Sequence, residues 1–91
     1  MRFAIEVGEV ARQRVEFYFN QLLGLTIIRA NGREIKKKVR LFSEPLVDAH
    51  ELDLDGLERL RVRIEKHRQW LVSSRYLIYV NDRLVQHFQG V

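Results

Sequence analysis

The stretch GLTIIRANGREIKK, Gly24 to Lys37, decides how the rest of the chain is read. It has a counterpart in SRYLIYVNDRLVQH, Ser74 to His87. In each, a run rich in β-branched or aromatic residues meets a two-residue turn, Asn31-Gly32 or Asn81-Asp82, and a second alternating run follows. Asn-Gly between such runs is a strong hairpin signal, because a type I′ turn needs positive φ at both central positions. Asn81-Asp82 is a weaker version, since Asn and Asp enter that region less easily than Gly. Two β-hairpins with a common plan are expected.

The segments outside the hairpins also alternate. In Arg2–Val7, Phe3, Ile5 and Val7 point one way, and Arg2, Ala4 and Glu6 the other. Between Arg12 and Phe19, Val15, Phe17 and Phe19 are expected inward, and Tyr18 falls on the outer face. In the first hairpin Ile28 and Ala30 form the inner set with Ile27 opposite. Past the turn, Ile35, Val39 and Leu41 are expected to continue one face, with Glu34, Lys36, Lys38 and Arg40 on the other. Lys37 breaks that series, as a bulge or strand end would. Ser43-Glu44-Pro45 reads as a connection, because proline lacks the donor a central strand needs. Then His50, Leu52 and Leu54 alternate with acidic residues, and Leu60, Val62 and Ile64 alternate with Arg59, Arg61 and Arg63. A long loop is expected over Lys66–Ser74. In the second hairpin Ile78, Val80 and Leu84 are the expected inner residues.

The halves line up. Arg14-Val15-Glu16-Phe17 matches Arg61-Val62-Arg63-Ile64, and Ile28-Arg29-Ala30-Asn31 matches Ile78-Tyr79-Val80-Asn81; the offset grows from 47 to 50. This reads as an internal duplication, repeats about 2–42 and 48–89 of one 91-residue domain, with three extra residues in the second long loop. Two four-stranded repeats with one apolar face each give an all-β class, most economically an antiparallel β-sandwich. The rival is a duplicated βαββ fold, since residues 10–23 and 57–71 can be written as amphipathic helices. Strands are preferred, because the helical stripe leaves Val15, Phe17 and Val62 at awkward angles.

Composition narrows the function classes. The chain has no cysteine, so disulfides and thiolate catalysis are excluded. The first residues hold no run resembling a signal peptide, and no stretch approaches the ~18 apolar residues of a membrane span. A cytoplasmic protein is the expectation. The formal net charge of +4 lies in the first half: residues 1–45 hold nine Lys and Arg against five Asp and Glu, and residues 46–91 hold seven of each. His50, His67 and His87 are too scattered for a metal site, and His50 beside Leu52 reads as a core histidine. The carboxylates Asp48, Glu51, Asp53 and Asp55 lack calcium-loop spacing. Ser43, Ser73 and Ser74 sit in no nucleophile turn, and the five glycines are single, so no phosphate loop exists. No enzyme, metal or cofactor is expected.

The order Phe3-x-Ile5-x-Val7-Gly8, Val15-x-Phe17, Gly24, then Ile28-x-Ala30-Asn31-Gly32-x-x-Ile35-Lys36-Lys37 resembles one repeat of the Fas apoptotic inhibitory molecule domain. The second half resembles a more diverged copy. The resemblance covers most of residues 3–37 and 52–88. It implies an all-β fold of similar sandwiches, and an anti-apoptotic, aggregation-countering interaction protein without a catalytic site. It assigns no functional residue.

Two candidate surfaces remain. Leu22-Leu23 and Trp70-Leu71-Val72 occupy equivalent connections; exposed, they form an apolar patch for a protein partner or a homodimer, and folded over they plug the core. A homodimer through an edge strand is the other form of self-association. The alternative function is nucleic-acid or other polyanion binding through Lys36, Lys37, Lys38 and Arg40, against a solvated edge whose lysines block sheet-to-sheet pairing. Trp70→Ala should therefore cost binding or dimerisation and leave the circular dichroism spectrum intact. A variant that cannot be recovered folded would assign Trp70 to the core.

Overall fold

The computed structural model describes residues 1–20, 22–39, 47–56, 58–69 and 73–90. They form eight strands: β1 (Arg2–Val7), β2 (Gln13–Asn20), β3 (Leu25–Ala30), β4 (Arg33–Val39), β5 (Val47–Leu54), β6 (Leu60–Arg68), β7 (Ser74–Val80) and β8 (Arg83–Gly90). The strands build two four-stranded antiparallel sheets, ordered β1-β2-β3-β4 and β5-β6-β7-β8. Each sheet is an up-and-down meander within its own compact unit, one running Met1–Glu44 and the other Pro45–Gly90. The class is all-β with two similar four-stranded repeats, as the alternation predicts.

There is no helix among the described residues. Strands β2 and β6 run where the rival reading put helices. Period-two burial decides it. Val15, Phe17 and Phe19 are buried on β2, and Leu60, Val62 and Ile64 on β6, with exposed or half-buried polar residues between them. Burying such a side chain stabilises the fold by about 1.5–3 kcal/mol. A helix would turn alternate residues away from any one side.

Both hairpin turns carry the type I′ signature. The φ angles are 53° and 81° at Asn31 and Gly32, and 51° and 65° at Asn81 and Asp82. The asparagines do more than tolerate the turn. Asn31 N–H donates to the Arg14 carbonyl at 2.8 Å, and Arg14 N–H donates to Asn31 Oδ1 at 2.9 Å. In the second repeat Asn81 N–H donates to the Arg61 carbonyl at 2.8 Å, and Arg61 N–H donates to Asn81 Oδ1 at 2.9 Å. Each asparagine thus clips its turn to the start of the neighbouring central strand. The clip recurs although the two partners are offset by 47 and 50, which makes the duplication geometric as well as textual.

The clip is followed in both repeats by the same irregularity. Ile28 faces Lys36 while Arg29 faces Glu34, so Ile35 is an extra residue; Ile78 faces Gln86 while Tyr79 faces Leu84, so Val85 is the extra one. A bulge of one residue reverses which later side chains share a face. This corrects two expectations and places a third. Lys36 and Lys38 stand opposite buried Ile28 and Thr26 and are half-buried, while Ile35 and Val39 are exposed. Leu84 is exposed and shares the outer face with Tyr79. The bulge or strand end expected near Lys37 is present as a bulge, at Ile35. A further correction concerns β6, which continues through Arg68, so Lys66 and His67 are strand residues and Lys66 is buried. The expected Ser43-Glu44-Pro45 connection and inner Leu41 lie outside the described residues.

The clip and the left-handed turn can be separated by mutation. Asn31→Gly keeps the backbone conformation and loses the side-chain acceptor, a cost of about 0.5–1 kcal/mol. Asn31→Ala adds the steric cost of positive φ, for a total of about 2 kcal/mol. Urea denaturation of the pair should show that order. Equal costs would mean the φ constraint contributes nothing.

Candidate interaction surface

The surface begins with Asn20, the last residue of β2. Its Oδ1 accepts from Leu23 N–H at 3.2 Å, and its Nδ2 donates to Tyr18 Oη at 3.1 Å. A side-chain oxygen that bonds a backbone N–H three residues on fixes a tight turn. Gly24, at φ 63°, completes the reversal into β3. The consequence is that Leu22 and Leu23 are held out from the sheet. Leu22 is 91% exposed and Leu23 52%.

The open face of the first sheet continues from this turn. Strand register places Asn20, Leu25 and Val39 in one cross-strand row, and Arg2, Tyr18, Ile27 and Lys37 in the next. Val39 is 59% exposed, and Leu25 and Ile27 are half-buried. The Arg2 guanidinium lies over the Tyr18 ring, 5.0 Å from its centroid. A shallow concavity of about 350 Å³ opens beside it, lined by Arg2, Glu16, Tyr18, Ile27 and Arg29. These two rows contain the cations Arg2 and Lys37 and no carboxylate. The next row is mixed, with Glu16 facing Arg29 and Arg29 facing Glu34.

Of the residues singled out from sequence, Leu22 and Leu23 are thus exposed. Trp70, Leu71 and Val72 lie outside the described residues, as does Arg40. Lys36, Lys37 and Lys38 are split: Lys37 is on the open face beside Ile27, and Lys36 and Lys38 are on the side of the buried face. The run therefore offers no single row of ammonium groups. Sequence reasoning missed that Tyr18, Ile27, Leu25 and Val39 share the open face of the sheet next to the Leu22-Leu23 turn. The signal was available for Tyr18 and Ile27, which alternation places outward, but Val39 depended on the bulge.

The second sheet differs on both faces. Its open face carries a charged chain along β6. Arg63 Nε donates to Glu65 Oε2 at 2.9 Å, Arg63 Nη1 donates to Asp82 Oδ1 at 2.9 Å, and the His67 ring lies 3.0 Å from Glu65 Oε1. Arg63 also stacks over Tyr79 at 4.4 Å. Asp82 therefore accepts a less favourable φ than Gly32 and gains a guanidinium partner. On the buried face His50 is fully buried, its Nε2 3.4 Å from Asp48 Oδ2. Lys66 faces Asp48 on one side and Tyr76 on the other. At the matching rows the first repeat has Phe3 stacked on Phe17 at 4.9 Å, and Phe19 beside Thr26. His50 is buried, as expected of a core histidine beside Leu52, and the structure adds Asp48 as its carboxylate neighbour. Among the described residues no three His, Asp or Glu side chains converge as metal ligands.

No protein-family model matches this chain, and no curated protein matches it.

The Glu65 carboxyl is held below its ordinary value of 4.5, chiefly by the hydrogen bond to His67 and then by Arg63, against the opposing effect of partial burial. A carboxylate with a lowered folded pKa contributes stability that is complete above the unfolded value and is lost as pH falls through the folded one. Wild type should therefore lose its advantage over Glu65→Gln as pH drops from about 6 to about 3 in urea titrations. A constant difference across that range would remove the Glu65 charge as the cause.

Proposed function

We propose that the chain is a non-enzymatic protein-interaction module whose first repeat receives an apolar segment flanked by acidic residues. The observation that carries this reading is the exposed pair Leu22-Leu23, held out by Asn20 in the turn between β2 and β3, next in sequence to an open face whose first two cross-strand rows, the nearer one holding Leu25 and Val39, have cations as their only charges. Two large apolar side chains pinned in solvent are costly unless something covers them part of the time. Because the turn is fixed before contact, little ordering entropy is lost on binding. Arg2 and Lys37 then favour carboxylates at the rim and steer approach.

The competing reading, a polyanion binder using Lys36, Lys37, Lys38 and Arg40, is weakened by the division of the lysines between two sides of β4. Salt separates the two. Phosphate contacts release counterions, so affinity falls steeply with salt, whereas an apolar interface is nearly indifferent or strengthens in sulfate.

Display selection of short random peptides against the immobilised chain tests the proposal. Enriched peptides should combine Leu, Phe or Trp with flanking Asp or Glu. Their affinity should fall about tenfold or more with Leu22→Ser/Leu23→Ser at an unchanged circular dichroism spectrum. Equal binding by the double variant would overturn the assignment of this surface. Strong, salt-sensitive binding of a single-stranded oligonucleotide with no peptide enrichment would move the function to the polyanion reading.

A further inference from the structure

The four outer strands of the two sheets are not protected alike. An outer strand presents a template for pairing with another chain, and charges are the usual guard against it. β1 carries Arg2 and Glu6; β5 carries Asp48, Glu51 and Asp53; β4 carries Glu34, Lys36, Lys37 and Lys38 after its first residue. β8 carries Arg83 at its first position and then Leu84-Val85-Gln86-His87-Phe88-Gln89-Gly90, with no Asp, Glu, Lys, Arg or Pro.

Duplication supplies the internal comparison. The offset of 50 sets Gln86 and His87 against Lys36 and Lys37, and the bulge residue Val85 against Ile35. The same geometry thus has a guarded version and an unguarded one. Past the bulge, Gln86–Gly90 pairs in unbroken register with β7, and among the described residues no strand pairs with its other side. Leu84, Val85, Gln86, His87 and Gln89 are exposed.

We propose that Gln86–Gly90 is a self-association edge, pairing antiparallel with the same segment of a second copy of this chain. Charge selects that occupant. Two-fold pairing sets a segment against itself, so any net charge on it meets the same charge on the partner. β4 would oppose lysines to lysines, and β5 carboxylates to carboxylates. Gln86–Gly90 sets Gln, His and Phe against the partner, without rows of like-charged Lys or carboxylates, and holds no Asp, Glu, Lys or Arg with which to select an acidic or a basic strand from another protein. Pairing extends a four-stranded sheet to eight strands through backbone hydrogen bonds, with Leu84 and Val85 at the rim. The contact is small, so association belongs in the micromolar range or weaker. It uses the second repeat and does not depend on the Leu22-Leu23 surface.

Sedimentation velocity of the intact chain over roughly 5–500 µM tests this, and a shift from monomer to dimer mass is expected. Gln86→Lys/His87→Lys, which copies β4 onto β8, should raise the dissociation constant about tenfold or more at an unchanged circular dichroism spectrum. If that variant fails to fold, Gln86→Lys alone provides the measurement, since β4 holds a lysine at the equivalent place. Leu22→Ser/Leu23→Ser should leave the dimer unchanged. A chain monomeric throughout overturns the proposal and leaves a foreign strand as the occupant of β8. So does a dimer indifferent to the lysine substitutions, a dimer lost with the leucine pair alone, or growth into open-ended assemblies.

Discussion

A single two-point hydrogen bond, made twice, governs the architecture of this protein. Asn31 exchanges bonds with the backbone of Arg14, and Asn81 with that of Arg61. Each clip joins the tip of one hairpin to the strand that precedes it. It therefore fixes the register of three strands from one residue. Register in a sheet is all-or-none for its faces, since a slip of one residue exchanges buried and exposed sets. With the clip in place, Val15, Phe17 and Ile28 are buried together, as are Val62, Ile64 and Ile78. Asparagine suits the position because it enters positive φ at modest cost and also carries an acceptor at the right reach.

On this shared frame the two repeats have diverged in chemistry. The first fills the rows around β1 and β2 with Phe3, Phe17 and Phe19; the second has His50, Ile64 and Lys66 there, with Asp48 and Tyr76 beside them. The first carries the net positive charge and two leucines held in solvent. The second is electrically balanced and ties its open face with Arg63, Glu65, His67 and Asp82. Even the turns follow this division. Gly32 is the relaxed choice, and a side chain there would meet nothing within 4 Å. Asp82 sacrifices some backbone comfort for a bond to Arg63. Duplicated frames allow such divergence because each repeat satisfies its own backbone hydrogen bonds.

Two surfaces bear most clearly on recognition. Leu22-Leu23 projects from the first repeat because Asn20 spends its side chain on the turn. On the outer strand of the second repeat, the stretch after Arg83 stands out because it lacks Asp, Glu, Lys and Arg while its counterpart is rich in lysine. Both features are preorganised on rigid strands and tight turns. That favours contact between surfaces already in shape over contact that must first order a loop.

Much of this was legible in the residues alone. Period-two alternation announced β1, β2, β5 and β6, Asn31-Gly32 announced its turn, and the offset of 47 passing to 50 announced the duplication. These signals are local, and the physics behind them is local too: strand pleat and the φ demands of a tight turn. The faces of β4 and β8 were not legible, because Ile35 and Val85 look like ordinary members of an alternating run. Only pairing with Ile28 and Ile78 makes them surplus, and that pairing reverses the parity of everything after them. Lys66 was hidden for a related reason. A lysine reads as loop or surface until Asp48 and Tyr76 are brought to either side of it from strands distant in sequence. Residue order determined which segments are strands and where they turn; tertiary pairing alone decided which side chains each strand shows to water, since facing is a property of register between strands.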